Sequence, residues 1–240
     1  MAPDRVTVFG HGRVDGVGAP LNTLASFGEC RRRGADGVEL DVRRTGDDRL
    51  VVLHDATFEG HPIDETDSGE LPRDVPHLAE ALDECRGLTV NIELKNFPSD
   101  PGFDPRQRLT HLVIELLGQR DGDDQVLLSC FDLAALDLVL REAPWLPTAV
   151  LLLSRRSPRA LLAPVVEHGH LVVHPYDTMV DEGFMALARD AGLAVNPWLG
   201  DVGAGRMQEL LGLGVDGLIT SEVSTARAVV DRHRGQARAS

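Results

Sequence analysis

Glu39, Asp41, His54 and Asp55 fall within one short run, GADGVELDVRRTGDDRLVVLHD (residues 34–55). In a strand, GVELDV turns Val38, Leu40 and Val42 to one side and Glu39 and Asp41 to the other. Two carboxylates on one face are costly to bury unpaired, so that face either meets solvent or holds a cation. TGDDR then makes a tight turn, and RLVVLHD runs on as a hairpin arm ending in His54-Asp55. Two further pieces add to this set. VNIELK brings Glu93 and Lys95, and GHGR closes the first apolar run with His11 and Arg13. Of the 24 basic residues all but Lys95 are arginine, which marks that lysine as a position favouring a compact ammonium.

Glu39, Asp41 and Glu93 form an all-oxygen donor set suited to a hard cation, Mg2+ or Ca2+. Without one, carboxylates so close would repel and raise one another's pKa. His11 and His54, flanking such an ion, are suited to acid–base work: one takes a proton from an attacking oxygen, the other gives one to a leaving oxygen. Lys95 and Arg13 supply positive charge for an anionic group at the ion. A phosphodiester meets these requirements. Two other readings stand beside it. One is an enolase-like lyase or isomerase with Lys95 as base; the other is a non-catalytic barrel that binds a phosphorylated metabolite.

Positioning these residues takes strands that end at one place. Strand-like runs at 6–10, 37–42 (with 50–53 as the hairpin arm), 88–95, 125–131, 148–154, 170–176, 193–199 and 217–221 alternate with helical patterns. The helices are expected at 22–33, 77–86, 105–119, 132–143, 158–168, 181–191, 203–213 and 223–233, with Asn22, Asp132 and Asp181 as caps and Gly34, Gly192 and Gly214 as stops. That pattern, over 240 residues, predicts one α/β domain, a (β/α)8 TIM barrel spanning 1–240. An open doubly wound sheet is the runner-up, but no GxGxxG turn follows the first strand. In a barrel the C-terminal strand ends share a mouth, which collects His11, Arg13, Glu39, Asp41, His54, Glu93 and Lys95. Phe131, His174, Tyr176 and Trp198 end later strands. Phe131 and Trp198 are candidates for an apolar substrate wall and His174 for a substrate contact. His168 and His170 fall at a strand's entrance, away from the mouth, and His61 and His77 read as surface. Residues 56–76, polar and rich in Gly, Pro and Asp, are expected as a surface loop, and the tail after Arg232 as a fraying end.

Composition narrows the partners. A net charge of −14 and a pI near 5.0 disfavour nucleic acid and anionic membrane surfaces. No apolar run reaches the ~20 residues of a spanning helix, and the start of the chain leaves no room for a secretory signal. Cys30, Cys85 and Cys130 lack disulfide or zinc spacing and read as buried free thiols, which fits a reducing cytoplasmic setting.

The GADGVELDV…VVLHD pairing, GHGR with PLNTLASF, VNIELK, and the series LLSCFD, GLAVNPWLGD and LGVDGLITS together resemble the glycerophosphodiester phosphodiesterase family, over essentially the whole chain. The resemblance implies a metal-dependent (β/α)8 barrel that hydrolyses glycerophosphodiesters to glycerol 3-phosphate and an alcohol. It assigns Glu39, Asp41 and Glu93 to the metal, His11 and His54 to acid–base chemistry, and Arg13 and Lys95 to the phosphate. This chain departs from the family pattern in places. His11-Gly12-Arg13 stands for the usual His-Arg-Gly, and Leu21 for the glutamate of Pro-Glu-Asn-Thr. Leu199-Gly200-Asp201 follows the tryptophan, and Ser221 replaces an aspartate. The departures fall on the substrate-contacting periphery and leave the acidic and histidine core intact.

Overall fold

Val38, Leu40 and Val42 are fully buried along one side of a strand whose other side carries Glu39 and Asp41, also buried. Both faces are covered, as expected of a parallel barrel strand. The computed structural model describes residues 6–11, 20–120, 122 and 124–237. In chain order the strands are β1 (Thr7–His11), β2 (Gly37–Arg44), β3 (Leu50–Val52), β4 (Thr57–Phe58), β5 (His61–Pro62) and β6 (Thr89–Leu94). There follow β7 (Gln125–Cys130), β8 (Thr148–Leu152), β9 (Val172–Pro175), β10 (Ala194–Val195) and β11 (Gly217–Thr220). The helices are α1 (Leu24–Arg32), α2 (Leu78–Glu84), α3 (Arg108–Gly118), α4 (Leu133–Glu142), α5 (Pro158–Glu167), α6 (Glu182–Asp190), α7 (Ala204–Leu213) and α8 (Val223–Ala237).

The sheet runs β10-β9-β8-β7-β6-β2-β1-β11, every neighbour parallel, with β3 antiparallel on β2. It closes between β10 and β11 through a bridge from Trp198 to Ile219, the Leu199 N–H donating to the Ile219 carbonyl at 2.9 Å. The result is a nearly closed eight-stranded TIM-type barrel with, among the described residues, eight helices, as the alternating pattern predicts. The seventh barrel strand is shorter than the expected 193–199. Pro197 has no N–H for the ladder, and only Ala194–Val195 pairs continuously.

Local chemistry explains several boundaries. Asp132 and Asp181 cap α4 and α6, accepting from the Ala134 and Phe184 N–H groups. Thr23, not Asn22, caps α1, in a reciprocal box with Ser26. Gly34, Gly192 and Gly214 all have positive φ just past a helix, the left-handed stop that glycine adopts without strain. Residues 56–76 are more structured than a surface loop. β4 and β5 pair there, and Ile63 and Leu71 join Val51 in a small buried cluster under the hairpin arm. The final helix does not fray after Arg232 but continues to Ala237. Cys30, Cys85 and Cys130 are free and buried, and burial pushes their thiols up to about 11, 12 and 12. Among the described residues no helix is long and apolar enough to cross a membrane.

Gly37 opens β2 where the strands approach closely. A Cβ there would overlap the Thr89 carbonyl oxygen and lie 2.7 Å from Phe9 Cδ1. Gly37→Ala is therefore expected to destabilise the fold by ~1–3 kcal/mol, the range for overpacking. A lowered urea midpoint with an unchanged slope would show it.

Candidate active site

β2 and β6 run in register, Glu39 beside Asn91 and Asp41 beside Glu93, so alternation turns all four into the barrel. One carboxylate oxygen each from Glu39, Asp41 and Glu93 lies within 4.8 Å of the others, and the three residues are 3, 1 and 7 % exposed. Neither buried Glu39 oxygen accepts a hydrogen bond among the described residues, which suits them to coordinate a cation. His11 ends β1 beside Glu39, with Nε2 3.5 Å from Oε2. His54 follows β3, whose hairpin with β2 is completed by the Leu53 N–H donating to the Asp41 carbonyl at 3.0 Å. Its Nδ1 lies 2.7 Å from Asp55 Oδ1, which orients the ring with Nε2 turned away from that contact.

The charges are strongly coupled. Burial, then the charges of Asp41 and Glu93, push Glu39 well above the usual carboxylate range. Burial and Asp41 push Glu93 up to about 7. Asp41 goes the other way: burial alone would raise it, but Lys95, His54 and a hydrogen bond from Asn22 together hold it below its ordinary value. Lys95 Nζ sits 2.7 Å from Glu93 Oε1 and 3.0 Å from Asp41 Oδ1. Those carboxylates outweigh the effect of burial and raise its pKa. Lys95 is thus a fixed ammonium, which argues against its use as a proton-abstracting base.

Above the acids opens a cavity of about 130 Å³ lined by His11, Glu39, His54, Asn91, Glu93, Lys95, Phe131, Leu151, Trp198 and Ile219. Phe131 and Trp198, the candidates for an apolar wall, both line it. Trp198 packs on Tyr176 at 4.5 Å between ring centres, and Phe131 meets Phe97 edge-on at 5.4 Å. His174 is placed differently. It is fully buried within the barrel, is not among the residues lining this cavity, and faces Asn196 at 3.3 Å. Burial drives it down to about 3, so it is neutral. His168 and His170 share Asp137 away from the acids, and His61 and His77 are exposed. Arg13 lies outside the described residues.

Two residues of the site are not singled out by the sequence reading. Asn22, at a left-handed φ of 61°, donates from Nδ2 to Asp41 Oδ2 at 2.8 Å; its place before Thr23 suggests only a cap. Asn91 faces the cavity with both side-chain polar atoms buried and unpartnered among the described residues. Its spacing two before Glu93 carries that signal.

A barrel whose mouth gathers buried acids, an ammonium and two imidazoles around a small cavity defines a polar-substrate enzyme site on a TIM scaffold. The model of the glycerophosphoryl diester phosphodiesterase family matches residues 16–225, and the chain belongs to that family: it is a phosphoric diester hydrolase acting on glycerophosphodiesters. It is 26 % identical to the glycerophosphodiester phosphodiesterase of Caldanaerobacter subterraneus subsp. tengcongensis, over 89 % of this chain and 93 % of that one. To the Bacillus subtilis glycerophosphodiester phosphodiesterase it is also 26 % identical, over 92 and 85 %. Among solved structures, an Oleispira antarctica phosphodiesterase in complex with the product sn-glycerol-3-phosphate superposes with a TM-score of 0.82 at 22 % identity, covering 94 and 96 %. A glycerophosphodiester phosphodiesterase from Thermotoga maritima gives 0.76 at 22 %, covering 94 and 98 %. These two likenesses establish the fold.

A divalent cation binding between the acids competes with protons, because burial and neighbouring charge raise Glu39 and push Glu93 up to about 7. Calorimetric titration with Mg2+ or Ca2+ at pH 7, repeated in buffers of different ionisation heat, should show net proton release. Affinity should rise as pH increases through 7. The cation-free fold should lose stability over the same rise from about 4.5, because its raised carboxyls hold protons that the unfolded chain releases.

Proposed function

We propose that the chain hydrolyses small glycerophosphodiesters to glycerol 3-phosphate and an alcohol, with Glu39, Asp41 and Glu93 holding Mg2+ or Ca2+ and His11 and His54 exchanging protons. The observation that carries this reading is the convergence of three buried carboxylate oxygens within 4.8 Å, beside a cavity that Glu39, Glu93, His11 and His54 line. When bound, a divalent cation would neutralise charge on the phosphoryl oxygens and lower the pKa of an attacking oxygen.

This chain's own groups supply the rest. One imidazole accepts the proton of the attacking oxygen, and the other protonates the departing alcohol oxygen. His54 offers Nε2 for this, its Nδ1 being turned to Asp55. His11 sits beside Glu39 with Nε2 toward the acids. Lys95 keeps the carboxylate cluster from carrying its full negative charge and adds positive potential beside a phosphodiester. Trp198, Phe131, Leu151 and Ile219 present carbon to the carbon skeleton of the substrate and exclude water from one side. Arg13 is proposed as a second phosphate contact on the strength of its place in GHGR. A cytoplasmic setting accords with the three free thiols.

Glycerol 3-phosphate release from glycerophosphocholine and glycerophosphoethanolamine, with and without chelator, tests the reading. Chelator should abolish turnover, and His11→Ala and His54→Ala should each lower kcat by at least ~10²-fold. Turnover indifferent to chelator would remove the cation from the mechanism. Two near-native alanine variants would remove the histidines.

A further inference from the structure

His54 reaches the cavity from an awkward place. Its side chain is 50 % exposed and its neighbour Asp55 is 78 % exposed, so packing alone does not fix the ring. The hairpin ladder stops one residue earlier, at the Leu53 N–H. Beyond that point the His54 main chain meets one buried group. Arg43, on β2, donates from Nε to the His54 carbonyl at 2.9 Å. The rest of its guanidinium is clamped bidentately by Asp100, Nη1 to Oδ1 and Nη2 to Oδ2, both at 3.0 Å. The two side chains are 10 and 2 % exposed.

Asp100 is itself held. It belongs to the loop after β6, where its N–H donates to the Phe97 carbonyl at 2.8 Å and its carbonyl accepts from Phe103 at 3.1 Å. Asn96 braces the same loop, accepting from the Asp104 N–H at 2.8 Å and donating to its carbonyl at 3.0 Å. That loop follows Lys95 directly and carries Phe97 against Phe131. Arg43 therefore ties the histidine's main chain to the loop that carries Phe97 against Phe131. A buried ion pair is weak evidence of stabilisation, because desolvation offsets much of its attraction. A rigid planar fork that spans a carboxylate and a carbonyl is, however, well suited to fixing position, and a lysine cannot reproduce it.

We propose that the buried Arg43–Asp100 pair is a positioning device for His54, setting where its imidazole stands relative to the acids. The proposal rests on the acid–base role given to His54 above. Small misplacements of a reacting group cost up to ~10²-fold in rate, so the loss should appear in kcat and not in KM.

The experiment measures kcat and KM for glycerophosphocholine, cation affinity and the unfolding midpoint. The variants are Arg43→Lys and the double variant Arg43→Met with Asp100→Leu, which removes both charges together and so leaves neither unpaired. Each is made in the native and the His54→Ala backgrounds. With His54 present, kcat should fall ~10–10²-fold while KM and cation affinity stay near the parent values. With His54→Ala in place, the same changes should lower kcat no further. Unchanged kcat in the folded double variant, or an equal loss in both backgrounds, would overturn the positioning role. Near-native turnover of His54→Ala alone would instead overturn the acid–base reading beneath it, and the positioning role with it.

Discussion

Three carboxylates share one pocket of low dielectric, and that repulsion governs the rest of the site. Left alone, such a cluster shifts its pKa values until protons or cations neutralise it. The protein meets the problem by division. Lys95, His54 and Asn22 hold Asp41 below its ordinary value, whereas burial and its neighbours push Glu39 well above the usual carboxylate range and Glu93 up to about 7. The single lysine of the chain is spent on this compensation. A cation with two charges would neutralise this cluster more completely, and the unpartnered Glu39 oxygens suit it as ligands.

The fold turns that electrostatic requirement into geometry. In-register pairing of β1, β2 and β6 brings His11, Glu39, Asp41 and Glu93 onto one interior surface, since side chains in matched register share a direction. The hairpin of β2 with β3 then folds His54 back over the acids. β2 thus contributes to the site three times: Glu39 and Asp41 inward, and Arg43 toward the main chain of His54. Asn22, from the segment before α1, adds a further support by donating to the carboxylate of Asp41.

Much of this was legible in the chain because the barrel architecture repeats a simple pattern. The two-residue alternation in GVELDV and NIEL fixes which residues face inward, and the barrel rule fixes the end at which they matter. What escaped reading depends on depth and on contacts distant in sequence. His174 stands on β9 beside Leu151, yet a strand pattern does not give burial, and the residue is sealed from solvent. Asn22 reads as a helix cap because its partner Asp41 is far along the chain. The segment 56–76 reads as loop because Ile63 and Leu71 form no periodic run, although both are buried under Val51. The Arg43–Asp100 pair joins β2 to the loop after β6, and neither residue stands in a motif.

The account stands on a cation held jointly by acids from β2 and β6. The most direct measurement is anomalous diffraction from crystals of the protein soaked in Mn2+, a scattering substitute for Mg2+ or Ca2+ with the same preference for oxygen donors. A single strong peak bonded to an oxygen of each of Glu39, Asp41 and Glu93 is the predicted result. A map with no peak there, or with the ion bound elsewhere while Lys95 stays seated between Asp41 and Glu93, would contradict it.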